Sequence, residues 1–189
     1  MTLSAISAGH LSIVEPTDAE VLAHAAHLSS WYSHPENMRL MAATEPMTED
    51  EVIDFYRDGR ASGSRMFLIF DRGELVGDAD FREIRGERAE FAILIGPPTH
   101  KGRGIGTGAT SAMHHFGFLH LGFRRVVLSV SKHNEAALRL YRKVGYHVDT
   151  SKDAADSSDH HDDVTMSVTP ERFYKLFPEI GRSVSILER

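Results

Sequence analysis

The stretch from Arg88 to Ala109 constrains this chain more than any other. Arg88-Ala-Glu-Phe-Ala-Ile-Leu-Ile-Gly reads as a strand. After Pro97-Pro98 it meets Lys101-Gly-Arg-Gly-Ile-Gly-Thr, from which a helical pattern sets out. A strand that runs into a glycine-rich turn opening a helix is built to hold phosphate. The glycines let the backbone approach, successive N–H groups point at the anion, and the helix dipole adds to the attraction. Two phosphate folds fit the segment poorly. A P-loop requires Lys-Ser or Lys-Thr after its glycines, and neither follows here. Gly104-Ile-Gly106-Thr-Gly-Ala109 does spell the turn of a dinucleotide fold. That fold, however, wants an acid closing the next strand, where this chain has Ser129-Val130-Ser131-Lys132.

The surroundings of the loop also differ from a fold that opens with βαβ. Met66–Phe70, Glu74–Ile84 and Arg88–Ile95 are three strand-like runs, joined by turns at Asp71-Arg72-Gly73 and Arg85-Gly86. They predict an antiparallel meander. Upstream, His10–Glu15 reads as a strand, and Pro16-Thr17-Asp18 offers an N-cap for a helix through Leu28. Residues 31–46 look irregular, punctuated by Pro35 and Pro46, before Thr48-Glu-Asp-Glu51 opens a helix to about Ala61 with a capping box. Downstream, Ile105, Ala109, Ala112, Phe116 and Leu119 follow 4-3-4-3 spacing and predict a buried helix face. Arg125–Val130 is β-branched, Asn134–Val144 forms a second helix closed by Gly145, and Val164–Val168 is the expected last strand. The order is β-α-α-β-β-β-α-β-α-β-β, an α/β (α+β) mixed sheet with helices on its faces.

At 189 residues the chain suits one domain. It has no cysteine, which excludes disulfides, thiolate metal sites and a cysteine nucleophile. A formal charge of −6 argues against non-specific attraction to nucleic acid or an anionic membrane. Met1–His10 lacks a basic and apolar leader pattern, so a soluble, cytoplasmic setting is expected.

The loop and the later helix together carry a resemblance. Lys101-x-x-Gly104-x-Gly106 resembles the Gln/Arg-x-x-Gly-x-Gly/Ala signature of the GCN5-related N-acetyltransferases (GNAT), with Lys at its first position. Asn134-Glu-Ala-Ala-Leu-Arg-Leu-Tyr141-Arg-Lys143-Val-Gly145-Tyr146 resembles that family's Asn-x-x-Ala-x-x-x-Tyr-x-Lys-x-Gly-Phe/Tyr helix. The likeness is close over 88–147 and looser over Trp31–Met47 and Asp163–Met166. Arg88-Ala-Glu-Phe and Met38-Arg39…Glu45-Pro46 look most like bacterial spermidine acetyltransferases and their ribosomal-protein-acetylating relatives. Taken singly these residues have plainer uses: Asn134 as a helix N-cap, Tyr141 as a packed aromatic, Gly145 as a helix end. Order and spacing together mark the family.

The resemblance implies a GNAT fold in one domain. Residues 10–65 would form an acceptor-side lobe, 66–147 the acyl-CoA-binding core, and 148–189 an acidic loop, last strand and tail. It implies direct transfer of an acetyl group from acetyl-CoA, a cosubstrate, to a primary amine, without a metal. A cysteine-free chain agrees with direct transfer. Carried over by position, Ile93, Leu94 and Ile95 form the strand that pairs with the pantetheine arm, and one of its N–H groups stabilises the oxyanion. Lys101, Gly102, Arg103, Gly104, Ile105, Gly106 and Thr107 hold phosphate, with Asn134 and Lys143 beside them. Tyr141 matches the general acid. Glu90 is the first candidate base, with pairing to Arg88 or Arg82 as its structural alternative; Asp80 and His100 follow.

Glu45 and Glu49 lie among acids that would attract a polyamine or another cationic small molecule, with Asp80 a further contact. The alternative is a solvated helix face whose acids favour its N-terminus. A protein or peptide amine remains a second acceptor class, and a non-catalytic acyl-CoA-binding regulatory domain a third reading. A homodimer or larger homo-oligomer is compatible with the family. Asp159-His-His-Asp-Asp163 suggests a solvated loop and no metal site. His114-His115 are expected at surface and flank positions.

Overall fold

The computed structural model describes residues 3–41, 43–151 and 163–188. Nine strands form one sheet: β1 (Ser4–Ala8), β2 (Leu11–Val14), β3 (Arg65–Asp71), β4 (Glu74–Arg85), β5 (Arg88–Ile95), β6 (Arg125–Ser131), β7 (His147–Val148), β8 (Asp163–Val168) and β9 (Val184–Glu188). Their order is β7-β8-β6-β5-β4-β3-β2-β1-β9. Every pairing is antiparallel except β5 with β6. The described helices are α1 (Asp18–Tyr32), α2 (Pro35–Met41), α3 (Glu49–Ala61), α4 (Ile105–Leu119), α5 (Glu135–Val144) and α6 (Pro170–Leu176). The mixed-sheet fold and the meander are as the sequence predicts.

Helix starts follow their capping chemistry. Thr17 with Glu20, and Thr48 with Glu51, each form a complete capping box. Gly145 closes α5 at φ 103°, a left-handed conformation that glycine adopts without a Cβ clash.

The period-2 alternation of β3 divides two cores. Met66 and Leu68 turn toward α1 and α3, joining Val21, Leu28, Val52 and Tyr56. Phe67 and Ile69 turn the other way, into a larger core with Ala109, Met113 and Phe116 of α4. Each fully buried side chain of this size contributes about 1.5–3 kcal/mol, so both faces are firmly held. Strand β4 departs from the pattern. Its core-side residues Ala79 and Phe81 are apolar, but the face beneath α1 and α3 carries Asp78 and Asp80, 4% and 6% exposed. They stand opposite Leu68 and Met66 in register.

Four sequence expectations need correction. Residues 35–41 are helical, not irregular, because Pro35 opens α2 where its missing N–H costs nothing. Strand β1 precedes the expected first strand, and β9, paired with it, follows the expected last one. Leu119 is 61% exposed: as the last residue of α4 it lies past the contact, and burial passes to Phe118 and Phe123. His114 and His115 are buried, 0% and 7% exposed, because distant tyrosines supply their polar partners. Except for Asp163, the segment Asp159–Asp163 lies outside the described residues.

Candidate active site

The parallel pair β5–β6 lasts only three residues. Arg88, Ala89 and Glu90 pair with Arg125, Val126 and Val127; beyond Glu90 the strands part. Strand β5 stays bonded to β4 on its other edge as far as Ile95 opposite Gly77, while β6 stays bonded to β8 up to Ser131. Gly77 is required at this point, since a Cβ there would lie 2.1 Å from the carbonyl oxygen of Leu94. The divergence leaves a wedge whose edge is the backbone of Ile93, Leu94 and Ile95.

Two cavities, of about 360 and 380 Å3, open on this wedge and share Leu40, Met41, Ile93, Leu94, Asn134 and Tyr141 in their walls. The second lies on the phosphate-loop side. Gly102, Gly104, Gly106 and Thr107 line it, with Lys143 and Arg139 from α5. Gly104 is the N-cap of α4 at φ 85°, a left-handed conformation that turns the chain from the loop into the helix. The loop suits an anionic, phosphate-bearing ligand: a helix N-terminus, three basic side chains in Lys101, Arg139 and Lys143, and no acid between residues 101 and 107.

Other expected loop residues also have roles within the protein. Lys101 lines the second cavity, while its Nζ donates to Asn37 Oδ1 at 2.6 Å and lies 3.8 Å from Glu36, tying the loop to α2. Arg103 is exposed outside the cavity walls, and the Ile105 side chain is in the core, leaving only its backbone available. Asn134 Oδ1 accepts from Ala137 N at 3.1 Å, so it caps α5 while lining both cavities.

The first cavity lies on the α1–α3 side. Asp78, Asp80, Arg82 and Glu90 line it, with Tyr32 and Phe55. Arg82 Nε lies 2.9 Å from Asp80 Oδ1 and 3.9 Å from Glu90 Oε1. Burial lifts the Asp80 carboxyl to about 6, with Arg82 opposing the rise. Burial likewise lifts Asp78 to about 7, opposed by the hydroxyl of Tyr32. Tyr141, 7% exposed, stands where the two cavities meet. Burial raises its phenol pKa, with Arg82 lowering it and Asp80 raising it further, so it keeps its proton at neutral pH.

The structure therefore brings together Tyr141, Asp80, Glu90 and the end of β5. It places Glu45 and Glu49 elsewhere, exposed before and at the start of α3. His100 is buried on the loop side, against Thr99 and 3.8 Å from Glu74. Asp78, Tyr32, Tyr56 and Phe55 join the site without having been expected there from the sequence. The available signal is two acids at alternate positions in the stretch 75–81, which holds no other charged residue, an arrangement that puts both on one face. Among the described residues no group of acids and histidines is arranged to hold a metal, and no helix is long and apolar enough to cross a membrane.

The family model of the acetyltransferase (GNAT) domain matches residues 11–147. Spermidine N(1)-acetyltransferase of Escherichia coli K12 is 37% identical over 87 residues, 45% of this chain; the chain spans 46% of that relative's length. Among solved structures, a GNAT-family acetyltransferase from Bacillus anthracis matches with a TM-score of 0.72 at 17% identity, covering 88% of this chain and 99% of the other. Spermidine N-acetyltransferase of Vibrio cholerae, in complex with CoA and spermine, matches with a TM-score of 0.72 at 19% identity, covering 87% and 98%. At these identities the two structures attest the fold.

Proposed function

We propose, from the premise that this chain belongs to the acetyltransferase (GNAT) family, that it transfers an acetyl group from acetyl-CoA directly to a primary amine. The acceptor we favour is a small-molecule amine of the polyamine type. The observation that carries the reading is Tyr141 at the meeting point of two cavities, beside the unpaired edge of a splayed strand pair.

The phosphate loop and the first turn of α4 would hold the pyrophosphate, with Lys143 and Arg139 nearby. The edge of Ile93-Leu94-Ile95 would pair with the amides of the pantetheine arm, as a missing strand would. An N–H on that edge would stabilise the oxyanion as the thioester carbonyl is attacked.

The carboxylates of β4 and β5 supply the base. A primary amine with a pKa near about 10.4 arrives protonated and cannot attack. Asp80 takes that proton, directly or through water. It is buried, it borders Tyr141 electrostatically, and its lifted pKa suits a base working near neutrality. Glu90 shares Arg82 with it and is the second candidate. The free amine bonds to the carbonyl carbon and the carbon–sulfur bond breaks; Tyr141 gives its proton to the departing thiolate and regains one from the second proton that the nitrogen sheds, directly or through water, as it becomes the amide. The products are the amide and free CoA.

Thiol release from acetyl-CoA, measured against a panel of spermidine, aminoglycosides and N-terminal peptides, tests this. Release dependent on a small amine is expected. Tight CoA binding without release by any amine would instead favour a binding-only domain, and release with peptides alone would favour a protein acceptor.

A further inference from the structure

The cavity under α1 and α3 holds a carboxylate that the proposed chemistry leaves unused. Asp78 and Asp80 are two residues apart on β4, so their side chains leave the same face about 6–7 Å apart. Arg82, the next residue on that face, is drawn to Asp80 at 2.9 Å. Asp78 makes no ion pair among the described residues. Its Oδ2 accepts from Tyr32 Oη at 2.7 Å and from Tyr56 Oη at 3.0 Å. Its Oδ1 is buried with no hydrogen-bond partner, and Asp78 is one of the residues that line the cavity.

A buried carboxylate oxygen left unpaired is costly, and a ligand donor that reaches it recovers that cost. The two phenols fix the carboxylate through one oxygen and leave the other for a ligand. The wall beside it is aromatic. Tyr32 and Phe55 line the cavity edge-to-face, with centroids 6.1 Å apart. A carboxylate with aromatic walls is the chemistry that selects an alkylammonium group.

We propose that Asp78, braced by Tyr32 and Tyr56, binds a second cationic nitrogen of the acceptor, so that the cleft selects diamines with a short alkyl spacer. The reacting nitrogen lies at the Asp80–Tyr141 end and the second ammonium at Asp78. The rise of two strand residues matches a spacer of about three or four methylenes. This rests on the reading of the cleft as an amine site and names what it selects.

The test is calorimetric binding to the CoA-loaded protein. Butylamine is compared with 1,4-diaminobutane, then diamines from two to eight methylenes. The expected result is that 1,4-diaminobutane binds about tenfold or more tightly than butylamine, given a hydrogen bond to a charged group, with an optimum at a short spacer. Equal affinities, or affinity rising steadily with chain length, would overturn the proposal without any variant. Asp78→Asn, which keeps acceptors for both phenols, should bring the diamine-to-monoamine ratio close to one. A preference that persists in a folded Asp78→Asn protein would also overturn it. The two readings fail separately. Selective diamine binding without thiol release would sink acetyl transfer and leave this site standing. Thiol release with equal kcat/KM for mono- and diamine, alongside equal affinities, would do the reverse.

Discussion

Tyr32 and Tyr56 donate to the same oxygen of Asp78, at 2.7 and 3.0 Å, from two different helices. One carboxylate on β4 thereby fastens both α1 and α3 to the sheet. Burial holds Asp78 at about 7, above the ordinary carboxylate range. The folded protein therefore binds a proton as pH falls through 7, while the unfolded chain binds it only near 4. The cost of the buried charge is full above pH 7 and shrinks as pH falls from 7 toward 4. Asp78→Asn should raise Tm more at pH 8 than at pH 5; melting curves showing the larger gain at pH 5 would contradict this.

Tyr141→Phe removes the proposed proton donor and little else, since the ring still packs on Tyr146 at 5.4 Å between centroids. We expect kcat to fall about a hundredfold or more, with CoA affinity nearly unchanged by calorimetry. Wild-type turnover would exclude the assignment.

The base is separable by pH. A base lifted to about 6 must be ionised to work, so kcat/KM should fall as pH drops through 6. Asp80→Asn should lower the rate and abolish that acidic limb. Glu90→Gln should leave the limb in place and shift it modestly, because Glu90 also acts on Arg82. The reverse pattern would move the role to Glu90.

His114 is built to stay neutral. Its Nδ1–H donates to the Thr110 carbonyl at 2.7 Å, and Nε2 accepts from the Tyr146 hydroxyl at 2.5 Å. Burial holds its pKa at about 4. Its contribution to stability is complete above about pH 6.5 and is lost as pH falls toward 4. An NMR titration should show no protonation of this ring above pH 5. Tyr146→Phe, which unpairs Nε2, should cost about 1–3 kcal/mol in chemical denaturation.

Gly77→Ala places a methyl group 2.1 Å from the Leu94 carbonyl oxygen, which is backbone and cannot swing aside. The end of β5 must shift. We expect a loss of about 1–3 kcal/mol or more, the scale of an overpacked core, together with weaker CoA binding. A variant with unchanged Tm would show that β4 and β5 yield more freely.

Much of this was legible beforehand where the signal is local. The Thr48–Glu51 box, the glycine turn at 104 and the cap at Asn134 depend on neighbours within a few residues, and each forms as expected. What escaped depends on partners far along the chain. Ser4–Ala8 and Val184–Glu188 are weak strands alone and gain order by pairing with each other. His114 looked polar and therefore superficial, because Tyr146, 32 residues away, is what satisfies it. Asp78 was invisible as a site for the same reason: its partners Tyr32 and Tyr56 precede it by 46 and 22 residues. The acids at Glu45 and Glu49 drew attention because they cluster in sequence, yet Glu51 beside them is occupied in capping α3.

The early parting of β5 and β6 has a consequence for how substitutions in this region should behave. What the wedge offers is main chain, so its chemistry is indifferent to which apolar side chain stands at residues 93 to 95. Exchanges among Ile, Val and Leu there should be nearly silent, whereas a single N-methylated or proline position should be felt at once. The most consequential part of the molecule is thus one that residue identity alone records least, and its vocabulary is that of an unfinished ladder waiting for its next rung.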